Sequence, residues 1–222
     1  MSVAKAAGTK RNLLLCFDAF GTLFTPSVPI PSAYAVAATR HGIQCGDPKN
    51  PQMVATRFKR AFKEQSNSNP NYGKATGLGA EKWWGNVIRK TFEEFLQPGQ
   101  QVPQALVTDL LERYSTRDGY NLYHDVKPFF DMLKENAAHK PDNKTAWRWS
   151  KTVVGIVTNS DDRVPGILES FGLKIGPRRI GTPDQRTAQV CLEDDISFVV
   201  LSYDVGVEKP DRQMFDAAIE ML

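Results

Sequence analysis

Residues Leu13 to Leu23 read Leu-Leu-Leu-Cys-Phe-Asp-Ala-Phe-Gly-Thr-Leu, an apolar run that ends in a carboxylate and then turns at once. A short, unbroken apolar run of this kind predicts a buried strand of a parallel sheet. In open α/β sheets ligands bind beyond the carboxyl ends of the strands, so the run places Asp18 at such a mouth. Gly21 permits the sharp turn, and Thr22 adds a hydroxyl and an N–H beside the carboxylate. Cys16 lies inside the run and is expected to pack in the core.

Two further runs repeat the arrangement. Thr152-Val153-Val154-Gly155-Ile156-Val157-Thr158 is rich in β-branched residues and leads into Asn159-Ser160; Ile196 to Leu201 precedes Val205-Gly206-Val207-Glu208-Lys209-Pro210. Helical periodicity follows both runs, over about 161–171 and 210–222, with Pro210 in the first turn of the second. Strand and helix in alternation predict an α/β fold with a parallel sheet. The segment 176–194, rich in Gly, Pro and charge, reads as a long loop.

Between the first strand and the rest lies a different pattern. Three prolines in 26–31 force an extended connector. Helices are then predicted over about 32–40 (capped by Ser32), 51–66, 80–96 and 103–116, with the Asn-rich loop 66–73 between the second and third. Trp83 and Trp84 are adjacent, so they point about 100° apart: one is expected in the core and the other at a seam. Tyr72 is a lid candidate. The division expected is a core of 1–25 and 122–222 and a helical cap of 26–121.

Bulk properties narrow the function. No apolar run approaches the ~20 residues of a membrane-spanning helix, and a net charge of +3 is too small to imply nucleic acid. Lys140, Lys144, Arg148 and Lys151 interleave with Trp147 and Trp149 and are read as a solvated insertion. Cys16, Cys45 and Cys191 are odd in number and far apart, which suggests neither a disulfide framework nor zinc and fits a reducing cytoplasmic or nuclear compartment. The N-terminal Lys5, Lys10 and Arg11 leave a mitochondrial presequence as a weaker alternative. His41, His124 and His139 show no ligand or triad spacing. Asp161 is expected to cap a helix, with Asp161 and Asp162 as remote metal candidates. Oligomeric state is not legible.

Asp18, Thr158 and Lys209, in that order and each after a candidate strand, resemble the first three motifs of the haloacid dehalogenase (HAD) superfamily. Residues 65–73 followed by Trp83-Trp84 resemble the cap of its HAD-like hydrolase domain-containing protein 3 subgroup. The resemblance implies a Rossmann-like core with an inserted α-helical cap and an aspartyl-phosphate intermediate. It also implies roles: Asp18 as nucleophile, Lys209 as charge clamp, and Thr22, Thr158 and Asn159 as phosphate or substrate donors. Asp18 and the Phe20 backbone carbonyl would hold Mg²⁺. The chemistry needs such a clamp, because a carboxylate and a phosphoryl anion about 4 Å apart repel by ~4 kcal/mol at an effective dielectric of 20.

Two departures qualify the activity. Phe20 stands where family phosphatases carry a second acid, and it resembles the aromatic variant of 2-haloacid dehalogenases, where Asp attacks carbon and halide leaves unprotonated. The family's fourth, acidic motif is expected beyond Leu222, so the chain reads as truncated before it. The expectation is therefore a phosphatase of a small phosphorylated substrate. The alternatives are a catalytically silent HAD-fold binding or regulatory protein and a dehalogenase-like hydrolase.

Overall fold

The structure, a computed structural model, describes residues 11–138, 149–191 and 193–222. Its centre is a four-stranded, wholly parallel sheet in the order β1-β4-β6-β5: β1 Leu13–Phe17, β4 Thr152–Thr158, β6 Ile196–Leu201 and β5 Ile175–Arg179. Alternate residues of β4 and β6 serve two faces. On one, Val154, Ile156, Val199 and Leu201 share a core with Phe130 and Leu133 of α6 (Val126–Ala138) and Ile167 and Leu168 of α7 (Val164–Ser170). On the other, Val157, Phe198 and Val200 pack with Met214, Ala217 and Ala218 of α10 (Arg212–Glu220). The α/β expectation is met, with helices on both faces as parallel sheets require.

The chain leaves and re-enters this core through a small ribbon, β2 (Phe24–Pro26) antiparallel to β3 (Tyr120–Leu122). Between the two strands lie α1 (Ile30–Arg40), α2 (Gln52–Ser68), the short α3 (Pro70–Gly73), α4 (Ala80–Phe92) and α5 (Gln104–Arg113). They pack through Tyr34, Val54, Ile88, Phe92, Leu106 and Leu110, all buried. Helix α1 starts two residues before the expected Ser32, since Pro29 and Pro31 preset its first turn. Two further short helices, α8 (Pro183–Arg186) and α9 (Ser202–Val205), flank the sheet. No helix among the described residues is long and apolar enough to cross a membrane.

Four expectations need correction, the first being the loop 66–73, where α2 continues to Ser68 and α3 follows at Pro70–Gly73. The segment 176–194 is not all loop: Ile175–Arg179 forms the edge strand β5, whose Gly-Pro-Arg-Arg sequence carries no strand signature and is fixed by pairing with β6. Strand β1 is not fully buried; it lies at the other edge of the described sheet, so Cys16 is exposed. Helix α7 begins at Val164, three residues after Asp161. Of the basic-aromatic insertion, residues 140–148 lie outside the described residues, as does His139.

Glycine at 155 has a packing reason. A Cβ built there would stand 2.1 Å from the ring of Phe198, which fills the space above β4. Gly155→Ala should lower stability by about 1–3 kcal/mol through overpacking, read as a lower urea midpoint with unchanged slope.

Candidate active site

Strand register brings the expected residues together. Phe17 pairs with Ile156 and Thr158 with Leu201, so the chain leaves β1, β4 and β6 at one edge of the sheet. Asp18 follows β1 directly. Its Oδ1 accepts the Ala19 N–H at 2.8 Å, and its Oδ2 lies 2.9 Å from Lys209 Nζ. The same ammonium donates to the Val157 carbonyl at 2.9 Å. Lys209 is thereby pinned to the end of β4 and aimed at the carboxylate. The Thr158 hydroxyl, buried at the end of β4, hydrogen bonds with Ser160 Oγ at 2.9 Å.

Burial pushes the Asp18 carboxyl up, but hydrogen bonds from Lys209, Thr158 and the Ala19 N–H, with the Lys209 charge, hold it below the ordinary value. The side chain is still 43% exposed. An ionised, reachable carboxylate beside a fixed cation is what attack on an electrophile bearing negative charge requires.

Asn159 does something the sequence did not disclose. Its Oδ1 accepts the Lys209 N–H at 2.6 Å, and its Nδ2 donates to the Lys209 carbonyl at 3.1 Å. Its side chain is spent on orienting the lysine. Thr22 is exposed in the turn after Asp18, with its N–H given to the Ala19 carbonyl at 3.2 Å. That carbonyl also takes the Leu23 N–H at 2.8 Å, and Gly21, at φ 77°, allows the tight turn. Phe20 is 49% exposed, its ring edge-on to Phe24 and Tyr120.

The helical segment reaches the site through Trp84. Its indole N–H donates to Asp161 Oδ2 at 2.8 Å, and the Arg163 guanidinium lies 4.9 Å from its ring centre. Asp161 is buried and doubly held by Arg163, through Nη2 at 2.7 Å and Nε at 2.9 Å. Burial raises the Asp161 carboxyl, but Arg163 and the indole more than reverse it. Asp161 is thus a buried anchor with one helix-turn contact, the Arg163 N–H at 3.1 Å. Trp83 is the core member of the tryptophan pair, and its indole donates to the Asn69 carbonyl at 2.8 Å. Tyr72, without a nameable partner in sequence, packs its ring against Trp83, Trp84 and Tyr203.

No group of three His, Cys, Asp or Glu side chains suited to a metal occurs among the described residues. The family resemblance would place Mg²⁺ on the Asp18 carboxylate and the Phe20 carbonyl, and the described backbone hydrogen bonds leave that carbonyl without a donor. That sparse set fits Mg²⁺, a hard cation that commonly keeps several waters and takes one or two protein oxygens plus phosphate.

The fold gathers Asp18, Thr158 and Lys209 at the ends of parallel strands, and residues 13–222 match the haloacid dehalogenase-like hydrolase family. The chain belongs to that family. It is 27% identical over 210 residues to the uncharacterized protein YMR130W of Saccharomyces cerevisiae, a match covering 95% of this chain and 57% of that protein. To the human haloacid dehalogenase-like hydrolase domain-containing protein 3 it is 26% identical over 208 residues, covering 94% of this chain and 68% of that one. The chain therefore spans little more than half of its yeast relative. A crystal structure of the HAD-hydrolase YfnB from Bacillus subtilis, bound to magnesium, is a remoter likeness: TM-score 0.47, 14% identity, covering 96% of this chain and 72% of that one.

Two outcomes follow from the geometry. Lys209→Met should raise the Asp18 carboxyl, visible in a carboxyl-carbon NMR titration. In the wild type the lowered folded value means that this pair's contribution to stability is present above the unfolded Asp value of about 3.9 and lost as pH falls through the folded value. The variant should lack that acid-side loss. Trp84→Phe keeps a ring over Arg163 but removes the donor to Asp161, at a cost of about 1–3 kcal/mol in chemical denaturation.

Proposed function

We propose that the chain carries the catalytic half-reaction of a phosphatase that acts on a small phosphorylated substrate through an aspartyl-phosphate on Asp18. The observation that carries this reading is the Lys209 ammonium, 2.9 Å from Asp18 Oδ2 and held by Val157 and Asn159. It offsets negative charge where a carboxylate must approach a phosphoryl anion. The Thr158 hydroxyl and the N–H groups that follow β4 supply donors for the phosphoryl oxygens. Asn159 acts as a positioning residue, and Asp18 with the Phe20 carbonyl would hold Mg²⁺. When bound, that ion supplies further charge neutralisation on the phosphoryl group. Residues 26–121 act as a cap, tied to the core by Trp84 and Asp161.

Phe20 favours a second reading, a 2-haloacid dehalogenase-like reaction in which Asp18 attacks carbon and halide departs without a proton. Phosphate release from a panel of phosphomonoesters in magnesium buffer tests the first reading. Activity should appear with the wild type, vanish with Asp18→Asn, and fall on chelation. Halide release from 2-haloacids, undiminished by chelator, would support the second reading instead.

A further inference from the structure

Among the described residues the groups that hydrogen bond Asp18 are an ammonium, a hydroxyl and a backbone amide, none of them a proton donor suited to a departing alkoxide. Among the described residues no carboxyl or imidazole is bonded to Asp18; its partners are Lys209, Thr158 and the Ala19 N–H. The buried acid nearest in sequence beyond β4, Asp161, is ionised and consumed by Arg163 and Trp84. Lys209 is already committed to Asp18 and Val157. Two residues past the carboxylate the chain presents Phe20, half exposed and braced edge-on by Phe24 at 6.0 Å and Tyr120 at 6.1 Å between ring centres.

From this arrangement we infer that the site selects phosphoric esters whose leaving group departs as a stable anion, aryl phosphates above alkyl phosphates. The inference rests on the phosphatase reading. In the first step an Asp18 oxygen bonds to phosphorus as the ester P–O bond breaks, and the electron pair goes to the leaving oxygen with no proton transferred. An alkoxide approaches hydroxide in basicity and is a poor leaving group without a proton. A phenolate is conjugate to a group at about 10 and bears the charge far better. In the second step a water oxygen attacks phosphorus, and the Asp18–phosphorus bond breaks with its pair returning to the carboxylate. Both water hydrogens leave on the phosphate as dihydrogen phosphate. The exposed ring of Phe20 gives an aryl leaving group an apolar, edge-or-face partner that an acid at this position would not.

The missing proton donor weakens both steps, since the group that would protonate the leaving oxygen would also deprotonate the attacking water. For a phenolate the first step outruns the second. Mixing the chain with 4-nitrophenyl phosphate in magnesium buffer should therefore give a rapid burst approaching one nitrophenolate per chain, followed by slower turnover.

The test compares kcat/KM for 4-nitrophenyl, phenyl and ethyl phosphate in wild type, Phe20→Asp and Phe20→Leu. The wild type is expected to disfavour ethyl phosphate by at least ~10²-fold, the lower end of what general acid catalysis contributes. Phe20→Asp should raise the ethyl-to-phenyl ratio by ~10-fold or more and shrink the burst, while Phe20→Leu, which removes the ring without adding an acid, should raise the ratio far less and keep the burst. Wild-type rates on ethyl and phenyl phosphate within about 10-fold of each other would overturn the inference, since general acid catalysis alone spans at least ~10²-fold. So would an equal rise in ratio for Asp and Leu, or no rise for Asp. A different result marks failure of the phosphatase reading itself: no phosphate, no burst and no phosphorylated Asp18 peptide with any ester in any variant.

Discussion

One ammonium group organises the functional end of the molecule. Lys209 joins its own segment to two that are far away in the chain: it meets the Asp18 carboxylate after β1 and, at the end of β4, the Val157 carbonyl and, through its own backbone, the Asn159 amide. A lysine is a flexible point charge with three donors. Here two of its contacts are fixed protein oxygens and its backbone is clamped on both sides, so its direction is set before any ligand arrives. Such preorganisation lets a charge act on a reaction without reorganisation at the moment of attack.

A second constraint governs what stands above that carboxylate. The helices between β2 and β3 meet the post-β4 loop through Trp84, which donates to Asp161 and receives Arg163 on its ring, and through the Tyr114 carbonyl after α5, which accepts from Arg163 Nη1 at 3.4 Å. Asp161 and Arg163 are both largely removed from water, and breaking one partner of a buried pair is costlier than never having formed it. Asn71 adds a bond from its Nδ2 to the Ser202 carbonyl at 2.8 Å, and both Asn71 and Tyr72 adopt positive φ to deliver it. The helical segment is thus seated on the sheet by polar contacts beside the site, and one apolar core runs through both, from Tyr34, Ile88 and Phe92 to Ile156 and Leu168.

Much of this was legible from residue type and order. Asp18, Thr158 and Lys209 each follow a run of apolar or β-branched residues, and a parallel sheet converts that order into proximity. The helices between β2 and β3 announced themselves by three- and four-residue apolar steps. Strand β5 did not, because Gly176, Pro177, Arg178 and Arg179 carry no strand preference and only the neighbouring β6 makes them extended. The exposure of Cys16 was equally hidden, since an apolar run reads the same at the edge of a sheet as at its centre. The clamp of the Asn159 side chain on Lys209 was hidden for a related reason: a polar residue at a strand end suits a ligand or a distant backbone alike, and Lys209 lies fifty positions away in sequence.

The distance between Asp18 and Lys209 along the chain has a consequence for biogenesis. During synthesis β1 and its carboxylate emerge early, while β4, β6 and the lysine follow only after the whole helical segment has been made. Until residue 209 leaves the ribosome, Asp18 has no counter-charge, and the apolar run before it has no strand to pair with until β4 appears. The helices, rich in local contacts, can form first, whereas the sheet closes late through contacts of large sequence separation. A nascent chain of this protein therefore carries an unpaired hydrophobic strand until β4, more than 130 residues later, has been made, an edge exposed to wrong pairing throughout that interval.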